Sequence, residues 1–317
     1  MTNQWQALKR FAPALLGLLL FGLSLWAINQ ELHRYGWQNV LTSLQSIPRK
    51  HLLGAGVLMV INYIFLTAYD TLAITYVGES LPYLKIGFVG FVSYAISNSV
   101  GLALLSSSAI RYRFYSQWGL SNRTIASIIA FCNLSFWLGL LTVGGITFLI
   151  DPLQVPSFLR LPFASAHPLG FIFLTLTLAY LWLSLLSRQS LQIGKWRLPH
   201  VPLYLSLWQI IITAIDWGLA AAILYILLPS HSSLSYPGFF GIYLLAQIVG
   251  LISNVPGGLG IFETVILLSL TPLFSSVQLL GALLAYRVIY FWIPLLLATL
   301  SLGFYEGFRQ VQAKLHS

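Results

Sequence analysis

The sequence predicts an all-α, polytopic transmembrane helix bundle with two broken, re-entrant hairpins and an inverted repeat. Three observations carry that expectation. Hydrophobic residues make up 58% of the 317 positions and charged residues only 7%, with a mean hydropathy of +0.83, far from the balance of a water-soluble domain. Apolar runs of bilayer-spanning length recur along the chain. A polar stripe ending in an acid, an interrupted apolar segment opening on Ile-Ser-Asn, and an aromatic-rich span occur twice in that order.

A helix needs roughly 20 apolar residues to cross the hydrocarbon core, and uninterrupted runs start near residues 11, 52, 125, 167, 204 and 278. The first is read as a retained anchor, because no small-x-small cleavage site precedes Glu31. Two further stretches, 86–110 and 237–276, are apolar but interrupted. Ser97, Asn98, Ser99 and Gly101 weaken helix continuation in the first; Asn254, Pro256, Gly257, Gly258 and Gly260 do so more strongly in the second. Irregular backbone is tolerated at membrane depth only where it is buried in protein or lines a watery cavity. Both breaks are therefore expected to face inward, with Ser97, Gly101, Pro256, Gly257, Gly258 and Gly260 as hairpin or gating positions.

Charge placement selects the hairpin reading. If every apolar stretch crossed once, nine basic residues would lie outside and six inside, against the positive-inside tendency. Letting 86–110 enter from and return to the cytoplasm places eleven inside and four outside. The unit 52–149 then recurs at 204–305 in the opposite orientation, within one integral membrane domain spanning 1–317. Spacing agrees: Asp70 and Asp216 are 146 residues apart, the triplets Ile96-Ser97-Asn98 and Ile252-Ser253-Asn254 are 156 apart, and the pairs Phe136-Trp137 and Phe291-Trp292 are 155 apart. Inverted repeats with broken helices are the plan of many secondary transporters, with the site near the midplane.

Tyr63, Thr67 and Asp70 share one helix face by their spacing, as do Gln209, Thr213 and Asp216. An acid at membrane depth costs at least roughly 2.5 kcal/mol unless it is neutralised, paired or hydrated. Asp70 and Asp216 are thus candidates for a headgroup, proton or cation site, or for internal helix pairing. Arg111 and Arg113 close the first broken segment, and guanidinium forks suit phosphate; Arg113 and Arg123 also serve as positive-inside flanks. In the second half, the turn Pro256–Gly260 precedes Glu263, which is placed to pair with Arg287. Asn98 and Asn254 complete the candidate binding set.

Other chemistries are excluded or disfavoured. The net charge of +9 sits in short loops beside apolar spans, where it sets orientation and meets anionic headgroups, so nucleic acid is not an expected partner. Cys132 has no second cysteine to pair with, and the six histidines are never spaced as a metal pair. No nucleotide-binding or nucleophile-elbow motif occurs. No catalytic residue, metal or cofactor is expected.

At Ala95-Ile96-Ser97-Asn98-Ser99-Val100-Gly101, Arg111 through Ser121, and Pro256 through Glu263, the chain resembles the membrane flippase half of the multiple peptide resistance factor family, bifunctional lysyl-phosphatidylglycerol synthases and flippases of bacteria. Tyr69-Asp70 and Phe131-Cys132-Asn133 through Trp137-Leu138-Gly139 fit the same pattern. The resemblance implies a multi-pass inner-membrane protein that moves aminoacylated phosphatidylglycerol between leaflets and so weakens the binding of cationic antimicrobial peptides. It also implies roles for Asp70 and Arg111 in translocation. Two departures stand out: Ser106-Ser107-Ser108 replaces a glycine pair, and the soluble aminoacyl-transferase domain is expected to be absent, so the chain itself is not expected to be an enzyme.

The leading expectation is a lipid translocase in which Arg111 holds a phosphate while Asp70 and Asp216 meet a cationic headgroup. Its partners are a phospholipid substrate and the membrane, with room left for a separate synthase and for a homo-oligomer. The competing expectations are a membrane subunit of a lipid-modifying enzyme and an ion-coupled solute transporter.

Overall fold

The computed structural model describes residues 37–100, 103–151, 165–186, 191–193, 196–198, 200–229, 234–253 and 258–315. The expected first span, together with Gly101, Asn254, Pro256 and Gly257, lies outside the described residues. Within them the protein is helical apart from one short two-stranded ribbon, and five helices are long and apolar enough to cross a membrane.

A short amphipathic helix, α1 (Trp37–Ser46), comes first and was not anticipated. Helix α2 (Arg49–Val77) stops at Gly78, whose φ of 74° is a left-handed conformation that glycine adopts without strain. The first broken unit follows as α3 (Tyr83–Val100) and α4 (Ala103–Gln117), packed against each other. Helix α5 (Asn122–Ile150) opens on Ser121, whose hydroxyl accepts the Thr124 N–H. Then come α6 (His167–Leu186), the antiparallel ribbon β1 (Leu191–Ile193) and β2 (Trp196–Leu198), and α7 (Leu203–Leu227). Leu-Gln-Ile and Trp-Arg-Leu do alternate apolar and polar residues, but strands of three residues are too short to stand out between long apolar spans, so the ribbon escaped the sequence reading.

The second broken unit is α8 (Tyr236–Ile252) and α9 (Ile261–Leu270), again packed side by side. The chain turns back closely here, since a Cβ on Gly258 would lie 3.6 Å from the Gly250 Cα. Helix α10 (Ser276–Tyr286) begins with a reciprocal cap between Ser275 and Gln278. It runs into a π-helical segment, Arg287–Trp292, and continues as α11 (Ile293–Leu315).

The π segment corrects the expectation of one regular helix, and Pro294 supplies the reason. Proline has no N–H and its ring crowds the carbonyl four residues back, here that of Tyr290. The ladder widens instead, with Ile293 N–H bonding to the Val288 carbonyl. Tyr63 Oη then donates to the Tyr290 carbonyl at 3.1 Å, and Ser99 Oγ shares its one hydrogen between the Ala95 carbonyl at 3.0 Å and the Phe291 carbonyl at 3.3 Å. Two side chains from the first half thus engage backbone that the proline disturbs.

Helices α2 and α7 pack against each other along much of their length, with α5 against both. Helix α6 shows how lipid shapes the outer layer. Its buried residues are Gly170, Thr177 and Ser184, spaced by seven, while Phe171, Leu178, Trp182 and Leu185 are exposed. Lipid is as apolar as leucine, so small and hydroxylated residues make the better helix contact. Gly145 gives the facing surface on α5, where a Cβ would collide with Leu174.

Candidate functional site

Asp70 and Arg111, assigned by sequence to opposite ends of a ligand, are joined directly. Arg111 Nε donates to Asp70 Oδ1 at 2.9 Å and Nη2 to Oδ2 at 2.7 Å, with both side chains essentially inaccessible. This is the bidentate fork geometry that suits arginine to planar carboxylates. Tyr115 Oη adds a third donor at 2.9 Å to Oδ1, and the guanidinium lies 5.0 Å from the Tyr94 ring centroid. Helix α3 can approach because residue 90 is glycine: a Cβ there would lie 3.1 Å from the Thr67 Cα and 3.3 Å from Asp70 Oδ2.

A second ion pair belongs to the second broken unit. Arg287 reaches Glu263 Oε1 with Nε and Nη2, both at 2.6 Å, while Glu263 Oε2 accepts the Gly260 N–H at 2.8 Å. Glu263 therefore ties the turn before α9 to the π segment. Gly258 and Gly260 sit at φ of 62° and 78°, where a side chain would be strained. The Arg287 guanidinium is also 4.6 Å from the Phe291 ring centroid. A third pair, Arg113 with Glu306, links α4 to α11 and is only partly buried.

Asp216 differs from these acids. It is buried on α7, and no described cation is within ion-pair distance. Tyr69 Oη donates to Oδ2 at 2.7 Å and Asn62 Nδ2 to Oδ1 at 2.9 Å, with Nδ2 also 2.9 Å from the Asp216 carbonyl. Asn62 Oδ1 accepts from Tyr290 Oη at 3.1 Å. Because the amide nitrogen meets two acceptors and the amide oxygen meets a donor, the network fixes the orientation of Asn62. Tyr94, its ring tilted at 56° with its centroid 5.3 Å from that of Tyr69 and with the Arg111 guanidinium over its face, bridges the two acidic centres.

The remaining stripe residues brace the helices. Tyr63 reaches the π segment, with Asn98 beside its hydroxyl. Thr67 shares a hydrogen bond with Tyr83. Gln209 accepts from Tyr180 and donates to Ser135, both at 2.8 Å, tying α5, α6 and α7 together. Thr213 lies against Gly139, where a Cβ would overlap it. Ser97 turns back to the Tyr94 carbonyl. Sequence reasoning passed over Asn62, Tyr94, Tyr115 and Tyr290. An amide inside an apolar run was the available signal for Asn62; the tyrosines were masked by their general role as interface anchors.

Five apolar spans, two broken helix pairs and ion pairs buried between them define a polytopic membrane protein with an enclosed polar interior, the class in which charge inside the bilayer marks function. Residues 14–298 match the family described as the lysylphosphatidylglycerol synthase TM region, and the chain belongs to that family. It is 64% identical to uncharacterized protein slr0712 of Synechocystis sp., covering 95% of this chain and 94% of that protein. It is 29% identical to the inner membrane protein YbhN of Escherichia coli, over 91% of each. Similarity to the phosphatidylglycerol lysyltransferase of Staphylococcus haemolyticus is 22% over 91% of this chain and 33% of that protein.

Proposed function

We propose that the protein is a lipid translocase that carries phosphatidylglycerol, its aminoacylated form, or a related phospholipid between the leaflets of a bacterial inner membrane. The observation that carries this reading is the enclosed Asp70–Arg111 pair beside the first broken unit. A buried ion pair is costly to desolvate and tolerates the loss of a partner poorly, but it can exchange partners with a ligand that brings its own charges. An aminoacylated lipid headgroup brings a phosphate for Arg111 and an ammonium for Asp70. Glu263 and Arg287 offer a second such exchange beside the other broken unit.

In this reading the halves 52–149 and 204–305 form an inverted repeat, and the two broken units gate the cleft alternately. The acyl tails stay in the bilayer while the headgroup crosses. Membership of the family and likeness to an inner membrane protein support the lipid class and the location. Raising cationic lipid in the outer leaflet would weaken the binding of cationic peptides. The relatives named phosphatidylglycerol lysyltransferases also support a second reading, a membrane subunit that serves a separate synthase.

The deciding experiment uses purified protein in vesicles with headgroup-labelled phosphatidylglycerol or lysyl-phosphatidylglycerol, scored by chemical quenching of the exposed leaflet. Exchange faster than in protein-free vesicles, lost in Arg111→Gln, is the expected result. Vesicles that exchange no faster than empty ones, alongside co-purification of a synthase, would establish the second reading instead.

A further inference from the structure

Among the described residues, Asp70, Glu263 and Glu306 are each met by an arginine, whereas the buried Asp216 is met by neutral donors. The titratable groups around it come from several elements. Helix α2 presents Tyr63 and Tyr69, α3 presents Tyr94, α8 presents Tyr243, and the π segment presents Tyr290. Tyr286 of α10 is hydrogen-bonded to Tyr243, and Tyr180 of α6 to Gln209. On α5, Cys132 lies toward Tyr94 and Arg111. The cation beyond Tyr94 is Arg111, already held by Asp70.

An uncompensated carboxylate in such surroundings is strongly disfavoured, and something positive must relieve it. The shell restricts what that is. Each carboxylate oxygen accepts from one N–H or O–H group in a buried setting, and a metal cation, which takes several oxygen ligands, or an ammonium, which brings three donors, would have to open this shell. A proton needs no such space. It adds to Oδ2, forming one O–H bond; the new hydroxyl donates to the Tyr69 oxygen, and the Tyr69 hydrogen turns away. No other bond breaks, and the aqueous phase supplies and receives the proton.

We propose that Asp216 is a proton-binding site whose loading and unloading drives the transport cycle. Coupling follows from connectivity. Asn62 and Tyr69 belong to α2, the same helix that carries Asp70, and Asn62 is joined through Tyr290 to the π segment that carries Arg287. Reversing the Tyr69 hydrogen bond alters the contact between α2 and α7 and, through the tilted Tyr69–Tyr94 ring contact, the surroundings of Arg111. The proposal rests on the translocase reading for its cargo but not for the proton site itself.

The test has two arms on the same lipid-embedded protein. Infrared difference spectroscopy across a pH titration reads the protonated carboxyl stretch directly, and a pH gradient imposed on vesicles reads lipid exchange. The expected result is a carboxyl band that titrates in the wild type, is missing in Asp216→Asn and changes its midpoint in Tyr69→Phe, together with gradient-dependent exchange about tenfold faster in the wild type than in Asp216→Asn. A band unaltered by Asp216→Asn in folded protein overturns the proton site and leaves the lipid reading intact. A titrating band with exchange indifferent to the gradient overturns the coupling. A titrating band in protein that moves no lipid keeps the site and removes the lipid as cargo. Tyr69→Phe preserves the carboxyl and the ring, so it answers the question even where Asp216→Asn folds poorly.

Discussion

The two halves of the protein carry an acid at matching places in their polar stripes and solve its burial in different ways. Asp70 is clamped by Arg111 in a bidentate pair with Tyr115 as a further donor; among the described residues Asp216 is held by an amide and a phenol. One acid is compensated by an arginine of the fold, whereas the other has no described cation beside it. Similar sequence order therefore does not imply similar electrostatics. A compensated pair suits a structural or exchangeable contact, and an uncompensated carboxylate suits reversible loading.

The sharpest way to break this comparison is to remove a cation from the first half. Arg111→Ala strands a buried carboxylate and is expected to cost about 3–5 kcal/mol, read as a large loss of thermal stability in detergent. Changing Asp70 to Asn in the same chain should recover part of that loss; no recovery would mean the pair is not what holds the region. Packing gives the next effect. Gly139→Ala forces a methyl group onto Thr213 and is expected to destabilise by about 1–3 kcal/mol. Gly90→Ala, where the contact is tight but not overlapping, should cost less, and the reverse order would show the first half to be the more rigid.

Asp216→Asn removes a charge that has no described cationic partner. It is expected to cost only about 1 kcal/mol through its altered hydrogen bonds, far less than Arg111→Ala in the same thermal assay; comparable losses would erase the distinction between the two acids. The smallest effect has the opposite sign. Ser93 Oγ on α3 is buried with no hydrogen-bond partner among the described residues, so Ser93→Ala should stabilise by up to about 1 kcal/mol. Unchanged or lower stability would show that the hydroxyl finds a partner.

Most of the helical plan was legible because lipid imposes long apolar runs and because glycine and proline interrupt them. The starts expected near 52, 125, 167 and 204 lie within a few residues of α2, α5, α6 and α7. The scarcity of charge in the apolar stretches also brought out Glu263 and Arg287 as a pair. What stayed hidden was pairing across distance. Arg111 follows Asp70 by 41 positions on a different helix, and periodicity says nothing about which helices touch. Asn62 and the tyrosines were hidden for another reason: a phenol in an apolar helix has the same sequence appearance whether it faces headgroups or an embedded acid. The π segment was encoded by Pro294, but a single proline does not reveal whether the chain will kink or widen.

Pro294 has a mechanical consequence. With the Tyr63 and Ser99 hydroxyls fastened to the Tyr290 and Phe291 carbonyls, the final span is bolted to its neighbours at mid-length and not only at its ends. It cannot slide or rotate as a rigid rod without releasing both fastenings. The Tyr63 bond is a neutral one with a net worth of about 1 kcal/mol, and the Ser99 bond, shared with the Ala95 carbonyl, is weaker, so the joint is firm at rest yet weak enough for thermal motion to undo.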